Sequence, residues 1–289
     1  MRMQPAQPDE IVRGIAELEP LPITATALIS LLAGEDMPVS RIAHLIEFDQ
    51  AIAAAVLRAS SGPDFGWRAP ATVHEAVMRL GFGALLDIVL RTYMSRIGGA
   101  APLYDLSEDD LWAHGAAAQL AVHALQEELP SWRPPPMTAT AALLHDVGKL
   151  VTSRYLRISA MDVASHAAAH GLAFVDAERQ LCGTDHAQVG RAIARAWNFP
   201  EAMEDAIARH HDADDTGDAP MLNGVIVANL VAKSIGTGLG AEGLNLAVDA
   251  ESVRRLGVTY RAFARACLTT DERLRALRAS VPVPASSRA

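Results

Sequence analysis

Apolar residues recur every three or four positions along most of the chain, and this periodicity constrains the fold more than any other feature. The stretch ITATALISLLAG (23–34) is typical, because its apolar residues keep helical spacing and it stops at Gly34, a residue that commonly ends helices. No segment alternates apolar and polar residues convincingly, as a half-buried strand would. The sequence therefore predicts an all-α protein.

Interruptions of this periodicity divide the chain into successive helices. We expect one break near Asp49 and another at Gly81–Gly83, with Ser40 and Ser107 as capping residues at two helix starts. A proline-rich loop, LPSWRPPPMT, interrupts the pattern again. Beyond that loop the pattern predicts helices at 138–148, 159–170, 184–197 and 200–211.

Composition narrows the class of protein. The chain has 289 residues, half of them hydrophobic, and its N-terminus lacks the apolar run of a signal peptide, so we expect a cytoplasmic protein without a membrane helix. Two cysteines are too few for a disulfide framework. A net charge of −9 gives no general attraction to phosphate backbones, which argues against a nucleic-acid partner.

The segment GLGAEG (238–243) matches the glycine spacing of dinucleotide-binding loops. Such loops follow a strand and open a helix, so that backbone amides face the pyrophosphate. Here a predicted helix precedes the glycines. The sequence therefore predicts a flexible loop and no nucleotide cofactor.

The segment AALLHDVGKL (141–150) places His145 beside Asp146 directly after a buried apolar run. Adjacent helical side chains diverge by about 100°, so the two cannot form one chelating face. The carboxylate can instead bridge towards a second ion while the histidine holds the first. Lys149, one helical turn from His145, could neutralise phosphate charge, although its position also suits the dipole at a helix end.

Two further helices combine imidazoles and carboxylates. His210 and His211 end an amphipathic helix, PEAMEDAIARHH. Asp110 precedes His114 by one helical turn, so that both lie on one face.

His186 falls in the first turn of a helix for which Thr184 is the predicted cap. The helix dipole disfavours the imidazolium there and leaves the neutral form, which binds metal. A purely capping role for Asp185 and His186 remains an equal alternative. The predicted ligand set is Asp110, His114, His145, Asp146, His186, His210 and His211.

This mixture of imidazole and carboxylate ligands suits Fe, Mn, Ni or Zn rather than Ca or Mg. We expect one or two such divalent transition-metal ions. Two ions would hold a phosphate and generate hydroxide from bound water.

Together these segments resemble the HDOD domain, an all-helical signalling relative of the HD phosphohydrolases. The resemblance covers about residues 15–215 and rests on several short motifs in a fixed order. Gln50 and Ser60 stand where proline and asparagine are usual in the family, without consequence for the fold. The motifs are VLRASSG, HEAVMRLGFGALLDIVL, LWAH, ALLHDVGKL and CGTDHAQVGRAIARAWNFPEAMEDAIARHH.

The resemblance implies a multi-helix bundle in two helical lobes. The N-terminal lobe would span 15–105, and an HD-like lobe with the metal site would span 106–215. Helices within 216–280 would complete the HD-like lobe, and 281–289 would form a disordered tail.

Similarity to the HD-GYP phosphodiesterases implies that the predicted ligand set, together with Lys149, matches their metal-site pattern. Asp110 stands where glutamate is usual, and two further departures count against activity. Asn229 stands where a last aspartate ligand is expected, and DADDTGDAP (212–220) replaces the Gly-Tyr-Pro loop. An asparagine brings no negative charge, which should weaken a two-ion site. In an active enzyme Lys149 and Asp146 would be the catalytic residues.

Three functions remain open at this point. The first is a regulatory signal-transduction protein that binds metal and turns over little or nothing, with a protein partner on its N-terminal helices. The second is a metal-dependent phosphohydrolase acting on a nucleotide or cyclic dinucleotide, with a phosphate-containing small molecule as its ligand. The third is an apo scaffold for protein interactions, in which the histidines are core residues.

Overall fold

The computed structural model describes residues 21–32, 38–61, 68–97, 101–155, 158–212, 219–242 and 250–280. Within these ranges every regular element is helical, and the only strand-like feature is an isolated bridge between Ala101 and Leu106. The prediction of an all-α fold is therefore confirmed. Residues 15–20 of the predicted first lobe and the predicted tail, 281–289, lie outside the described residues.

The first four described helices are here called the first lobe, and two of the predicted breaks occur in them, one between two helices and one inside a helix. Asp49 caps a helix start, because its carboxylate accepts hydrogen bonds from the backbone of Ala51 and Ile52. Gly81 breaks the long fourth helix with a φ of 73°, a value that glycine adopts without strain. The helices are α1 (Ile23–Leu32), α2 (Val39–Glu47), α3 (Gln50–Ala59) and α4 (Val73–Ile97), and the first three pack on α4.

The second lobe begins with a 3-10 turn, Pro102–Tyr104, and contains ten helices in the described ranges. Its central helix is α5 (Glu108–Glu128), against which α6, α12 and α14 pack. Fully buried alanines along α5, including Ala117 and Ala121, allow these neighbours to approach closely. The other helices are α6 (Thr138–Leu144), α7 (Gly148–Tyr155), α8 (Ala160–His170), α9 (Phe174–Cys182), α10 (His186–Ala196), α11 (Glu201–Arg209), α12 (Pro220–Ser234), α13 (Ala250–Arg255) and α14 (Tyr260–Ser280).

One continuous apolar core runs through both lobes. The rings of Tyr93 on α4 and Trp197 after α10 meet edge to face, with centroids 5.8 Å apart. No described helix is long and apolar enough to cross a membrane.

Helix starts were predicted with mixed success. Ser107 caps α5 in a reciprocal capping box, as expected. Ser40 does not cap α2, which begins after Pro38, since the fixed φ of proline already suits a helix entry. Thr184 does not cap α10, because the Asp185 side chain accepts the hydrogen bond from Gln188 instead.

Candidate metal centre

The His145–Asp146 pair lies in a short turn between α6 and α7, where a single helix was predicted over 138–148. Gly148 explains how this turn approaches α10. A Cβ atom at Gly148 would lie 1.9 Å from the carbonyl oxygen of His186, so only glycine permits this contact. The close packing of α7 on α10 brings Asp146 next to His186.

Asp146 is the centre of the site. Its Oδ2 lies 3.6 Å from Nε2 of His114 and 3.4 Å from Nε2 of His145. Its Oδ1 lies 3.5 Å from Nε2 of His186 and 3.6 Å from Nε2 of His210. The two oxygens of one carboxylate thus face two different pairs of histidines.

Two groups of side chains could each hold a metal ion, and they share Asp146. Two ligand atoms about 2.1 Å from one ion, at angles of about 90–109°, are separated by roughly 3.0–3.4 Å. The separations around Asp146 are close to this range. The first ligand group is Asp146, His186, His210 and His211, and the second is His114, His145 and Asp146.

The imidazoles of His145 and His210 are oriented as ligands. The Nδ1–H of His145 donates to the carbonyl of Ala142, and that of His210 donates to the carbonyl of Ile207, each over 2.7 Å. These bonds leave the Nε2 lone pairs pointing inward, the arrangement that orients metal-binding histidines. Both Nε2 atoms and Oδ1 of Asp146 are buried without a hydrogen-bond partner. Buried polar atoms are rarely left so, and metal ions would satisfy them.

His114 is fixed in the same way by a loop carbonyl. Its Nδ1 donates to the carbonyl of Thr237 over 2.9 Å, and its Nε2 lies 3.1 Å from Oδ1 of Asn229. Burial lowers the pKa of His114, which favours the neutral ring. Asn229 therefore lies beside the second ligand group, at the spacing of two ligands on one ion.

His186 is held by a buried carboxylate rather than a carbonyl. Its Nδ1 donates to Oε2 of Glu178 over 2.7 Å, and Glu178 also accepts from the hydroxyl of Tyr104. Burial lowers the pKa of His186, but the Glu178 carboxylate raises it more, and the pKa lies above its usual value. Nε2 of His186 lies 2.9 Å from Nε2 of His211, so the two rings share a hydrogen bond. A metal ion bound by both nitrogens would displace the proton of that bond.

Asp146 and Lys149 are both charged despite their burial. Burial raises the pKa of Asp146, but the neighbouring His145 and Lys149 hold it well below its usual range. Burial lowers the pKa of Lys149, whereas the carboxylates of Asp146 and Glu242 raise it above its ordinary value. The site therefore contains a permanent carboxylate and a permanent ammonium, with Nζ of Lys149 2.8 Å from Oδ2 of Asp146.

The structure brings seven of the eight predicted site residues together, and it places the eighth, Asp110, in the cap of α5. Oδ2 of Asp110 accepts hydrogen bonds from the backbone and hydroxyl of Ser107, over 3.0 Å and 2.6 Å, and so completes the cap of α5. Asp110 belongs to neither ligand group. The residues that converge are His114, His145, Asp146, Lys149, His186, His210 and His211.

Three residues of the site were not predicted. Glu178 and Tyr104 form the hydrogen-bond chain behind His186, and Glu242 pairs with Lys149. Glu242 belongs to GLGAEG, the segment expected to be a flexible loop. Gly238 of this segment packs against Asp110 and His114 on α5. A lone acid within a glycine-rich segment was the only signal available for Glu242.

These features define an all-helical protein with a buried histidine–aspartate centre that is compatible with divalent metal ions. A family model for the HDOD domain matches residues 18–213. The chain therefore belongs to the HDOD domain family.

Solved structures share the fold. An HDOD domain protein of unknown function from Geobacter sulfurreducens superposes with a TM-score of 0.72 at 24% identity, covering 94% of this chain and 95% of that one. A candidate signal-transduction protein from Marinobacter aquaeolei VT8 gives a TM-score of 0.69 at 20% identity, covering 94% of this chain and 64% of that one. At these identities the similarity establishes the fold alone.

An uncharacterized protein of Treponema pallidum (strain Nichols) is 22% identical over 227 residues, which cover 76% of this chain. The match covers 43% of that relative, so the chain spans less than half of its length.

Proposed function

We propose that this chain is a regulatory HDOD protein that holds one or two divalent transition-metal ions and turns over little or no substrate. The observation that carries the proposal is the set of buried, unpartnered ligand atoms: Nε2 of His145, Nε2 of His210 and Oδ1 of Asp146. Leaving such atoms unsatisfied is costly, and a metal ion between them removes that cost.

The donor set fits Fe, Mn, Ni or Zn, because imidazole nitrogens outnumber carboxylates in both ligand groups. His186, His210 and His211 would hold one ion, His114 and His145 the other, and Asp146 would bridge them. Bound ions of this kind supply positive charge for a phosphate and acidify bound water. The carbonyls of Ala142 and Ile207 and the Glu178 carboxylate keep the rings in the ligand orientation.

Low turnover follows from the surroundings of Lys149 and from Asn229. Lys149 is buried between the carboxylates of Asp146 and Glu242, so its charge is already neutralised before any phosphate arrives. Asn229 adds no negative charge beside His114. Both features weaken the site as a hydrolytic centre while leaving its histidines in place.

In the proposed signalling function, the protein partner would bind the first lobe. That lobe exposes large apolar side chains at Ile23, Phe48 and Met78. We expect Phe48→Glu to abolish binding of a partner isolated with the wild-type protein and to leave the metal content unchanged. A partner retained by Phe48→Glu would place the interaction elsewhere.

Metal content tests the proposal directly. Untagged wild-type protein should contain close to stoichiometric transition metal by mass spectrometry, and His145→Ala/Asp146→Ala should contain almost none. His166→Ala/His170→Ala is the matched control, since these two rings contact each other on the exposed face of α8. Metal-free wild type that takes up no added ion would refute the metal site and leave the scaffold function.

Hydrolysis is the second candidate function, because Lys149 lies directly beside the shared ligand Asp146. Metal-loaded protein incubated with bis(p-nitrophenyl) phosphate decides between the two. Release of p-nitrophenol that Asp146→Ala abolishes would establish a phosphohydrolase and reject the purely regulatory function.

A further inference from the structure

The segment Gly236–Glu242, here called the strap, follows α12 and turns back across the metal centre. Two hydrogen bonds attach it to the second lobe. The carbonyl of Thr237 accepts from Nδ1 of His114 over 2.9 Å, and the amide of Ala241 donates to the carbonyl of Tyr104 over 2.8 Å. The strap is therefore bonded both to a ligand histidine and to the turn before α5.

Glycines hold the strap close to the lobe. Gly238 and Gly240 have φ values of +57° and +46°. A Cβ atom at Gly238 would lie 2.5 Å from the carbonyl oxygen of Asp110, and one at Gly240 would lie 2.2 Å from that of Tyr104. The close approach thus requires glycine at both positions, and it brings the end of the strap to the site.

Glu242 is the last residue of the strap and lies beside the candidate metal centre. It is only 7% exposed, and its Oε2 lies 2.5 Å from Nζ of Lys149. Its Oε1 lies 3.2 Å from Nε2 of His211 and 3.9 Å from Nζ of Lys233. Glu242 belongs to neither ligand group, so it lies beside the metal centre as a counter-ion rather than within it.

The two ammonium groups around Glu242 are the only lysines in the chain. Of the 25 lysines and arginines, two are lysine and 23 are arginine. Lys149 comes from α7 and Lys233 from α12, yet both reach one carboxylate. The chain uses arginine at every other such position, so both of its lysine ammonium groups lie at this one carboxylate. Lysine binds phosphate as a compact point charge of this kind.

We propose that Lys149 and Lys233 form a binding site for a phosphate-class oxyanion beside the first ligand group, and that Glu242 occupies it as a competing internal anion. An incoming phosphate must displace the Glu242 carboxylate from both lysines. The inference rests on the proposed function for the presence of the neighbouring ions. It adds to that function the class of ligand and the carboxylate that competes with this ligand.

Selective labelling makes the test direct, because lysine-specific ¹³Cε labelling gives an NMR spectrum with two lysine signals. Inorganic phosphate is titrated into the protein as purified, with metal content measured on the same samples. In wild type we expect weak phosphate binding that shifts both signals. Glu242→Gln should bind phosphate roughly 10- to 100-fold more tightly, since affinity rises as the competent fraction of the site rises.

Two further variants separate competition from a general effect of charge or folding. Glu204→Gln removes another buried glutamate, one paired with Arg195, and should leave phosphate affinity unchanged. Gly240→Ala keeps the Glu242 carboxylate but displaces the strap, and should bind phosphate more tightly than wild type. Its control is Gly257→Ala, which introduces the same left-handed strain where a Cβ atom meets nothing within 4 Å.

Several outcomes would overturn the inference. Equal phosphate affinity in wild type and Glu242→Gln, or shifts at neither lysine, would exclude competition. Loss of metal in Glu242→Gln would make Glu242 a metal ligand instead. Metal-free wild type with the expected gain in Glu242→Gln would refute the proposed metal function and leave the oxyanion site standing.

Discussion

The two lobes bury different kinds of side chain. Among the described residues, the first lobe buries no carboxylate, histidine, lysine or arginine, and its buried polar side chains are those of Thr24, Ser60 and Tyr93. The second lobe buries a lysine, several histidines and several carboxylates within one connected site. Removing such groups from water costs several kcal/mol for each ion unless partners compensate.

The difference separates a lobe held together by packing alone from one that also contains the candidate site. An apolar lobe needs only packing to be stable, and its surface is free to serve contacts. The second lobe accepts the desolvation of Asp146, Lys149, Glu178 and Glu242, which apolar residues of similar size would avoid. The proposed metal and anion site would account for these buried charges, and variants in each lobe should therefore fail in different ways.

The largest effect is expected at Asp146. Asp146→Ala should remove nearly all bound metal, because both ligand groups use this carboxylate. Metal per folded chain, measured by mass spectrometry, is the readout. Asp205→Ala, which removes an aspartate outside both groups, should retain the wild-type content.

Single-histidine variants sharpen the same measurement. His114→Ala affects only the second ligand group and His210→Ala only the first, so each should lose up to about one ion while the other group keeps its ligands. Complete loss in both variants would mean that the two groups bind metal only together.

The converse is expected in the first lobe. Leu86 on α4 is fully buried, and Leu86→Ala should lower the free energy of unfolding by about 2–5 kcal/mol. Chemical denaturation measures this change, and metal per folded chain should stay constant. Phe48→Ala, at an exposed apolar position, should change stability by less than about 0.5 kcal/mol. Metal loss in Leu86→Ala would contradict the separation of roles between the lobes.

Asn229→Asp should have a smaller, opposite effect. A carboxylate beside Nε2 of His114 adds the negative charge that the second ligand group lacks, and metal affinity should rise by roughly tenfold. Competition with a fluorescent chelator measures the affinity. Asn223→Asp makes the same change on the same helix, where the side chain bonds Ser252, and should bring no gain. Unchanged affinity in Asn229→Asp would mean that Asn229 does not face the ion.

The smallest effect is expected at Asp110. If its carboxylate only caps α5, Asp110→Ala should cost about 1 kcal/mol of stability and no metal. Asp162→Ala removes the equivalent residue from the capping box of α8 and should behave alike. Loss of metal in Asp110→Ala but not in Asp162→Ala would show that Asp110 is a ligand, as the sequence predicts.

Helical periodicity and local capping chemistry predicted most of the fold. Asp49, Gly81 and Ser107 act at the expected places because their effects depend only on the adjacent backbone. The turn at His145–Val147 was not predicted, since it depends on the packing of Gly148 against α10. Contacts between distant segments leave no periodic signal in a single sequence.

The same distinction explains the site. The histidines were predicted because each one is adjacent to a histidine or an aspartate, lies one helical turn from an aspartate, or begins a helix. Glu178 and Glu242 were not, because each is one acid among 34 acidic residues and becomes notable only when tertiary packing buries it. Asp110 shows the reverse case, in which correct helical spacing to His114 coincides with a local capping role.

Tyr104 joins several of these features and has a mechanical consequence. Its hydroxyl bonds Glu178 and Thr152, its carbonyl holds the strap, and its ring lies 5.2 Å from Nζ of Lys149. Tyr104 belongs to the turn through which the chain passes from α4 to α5. A ligand of the first lobe that displaced this turn would alter affinity at the metal centre, and occupancy of the centre would alter affinity for that ligand by the same factor.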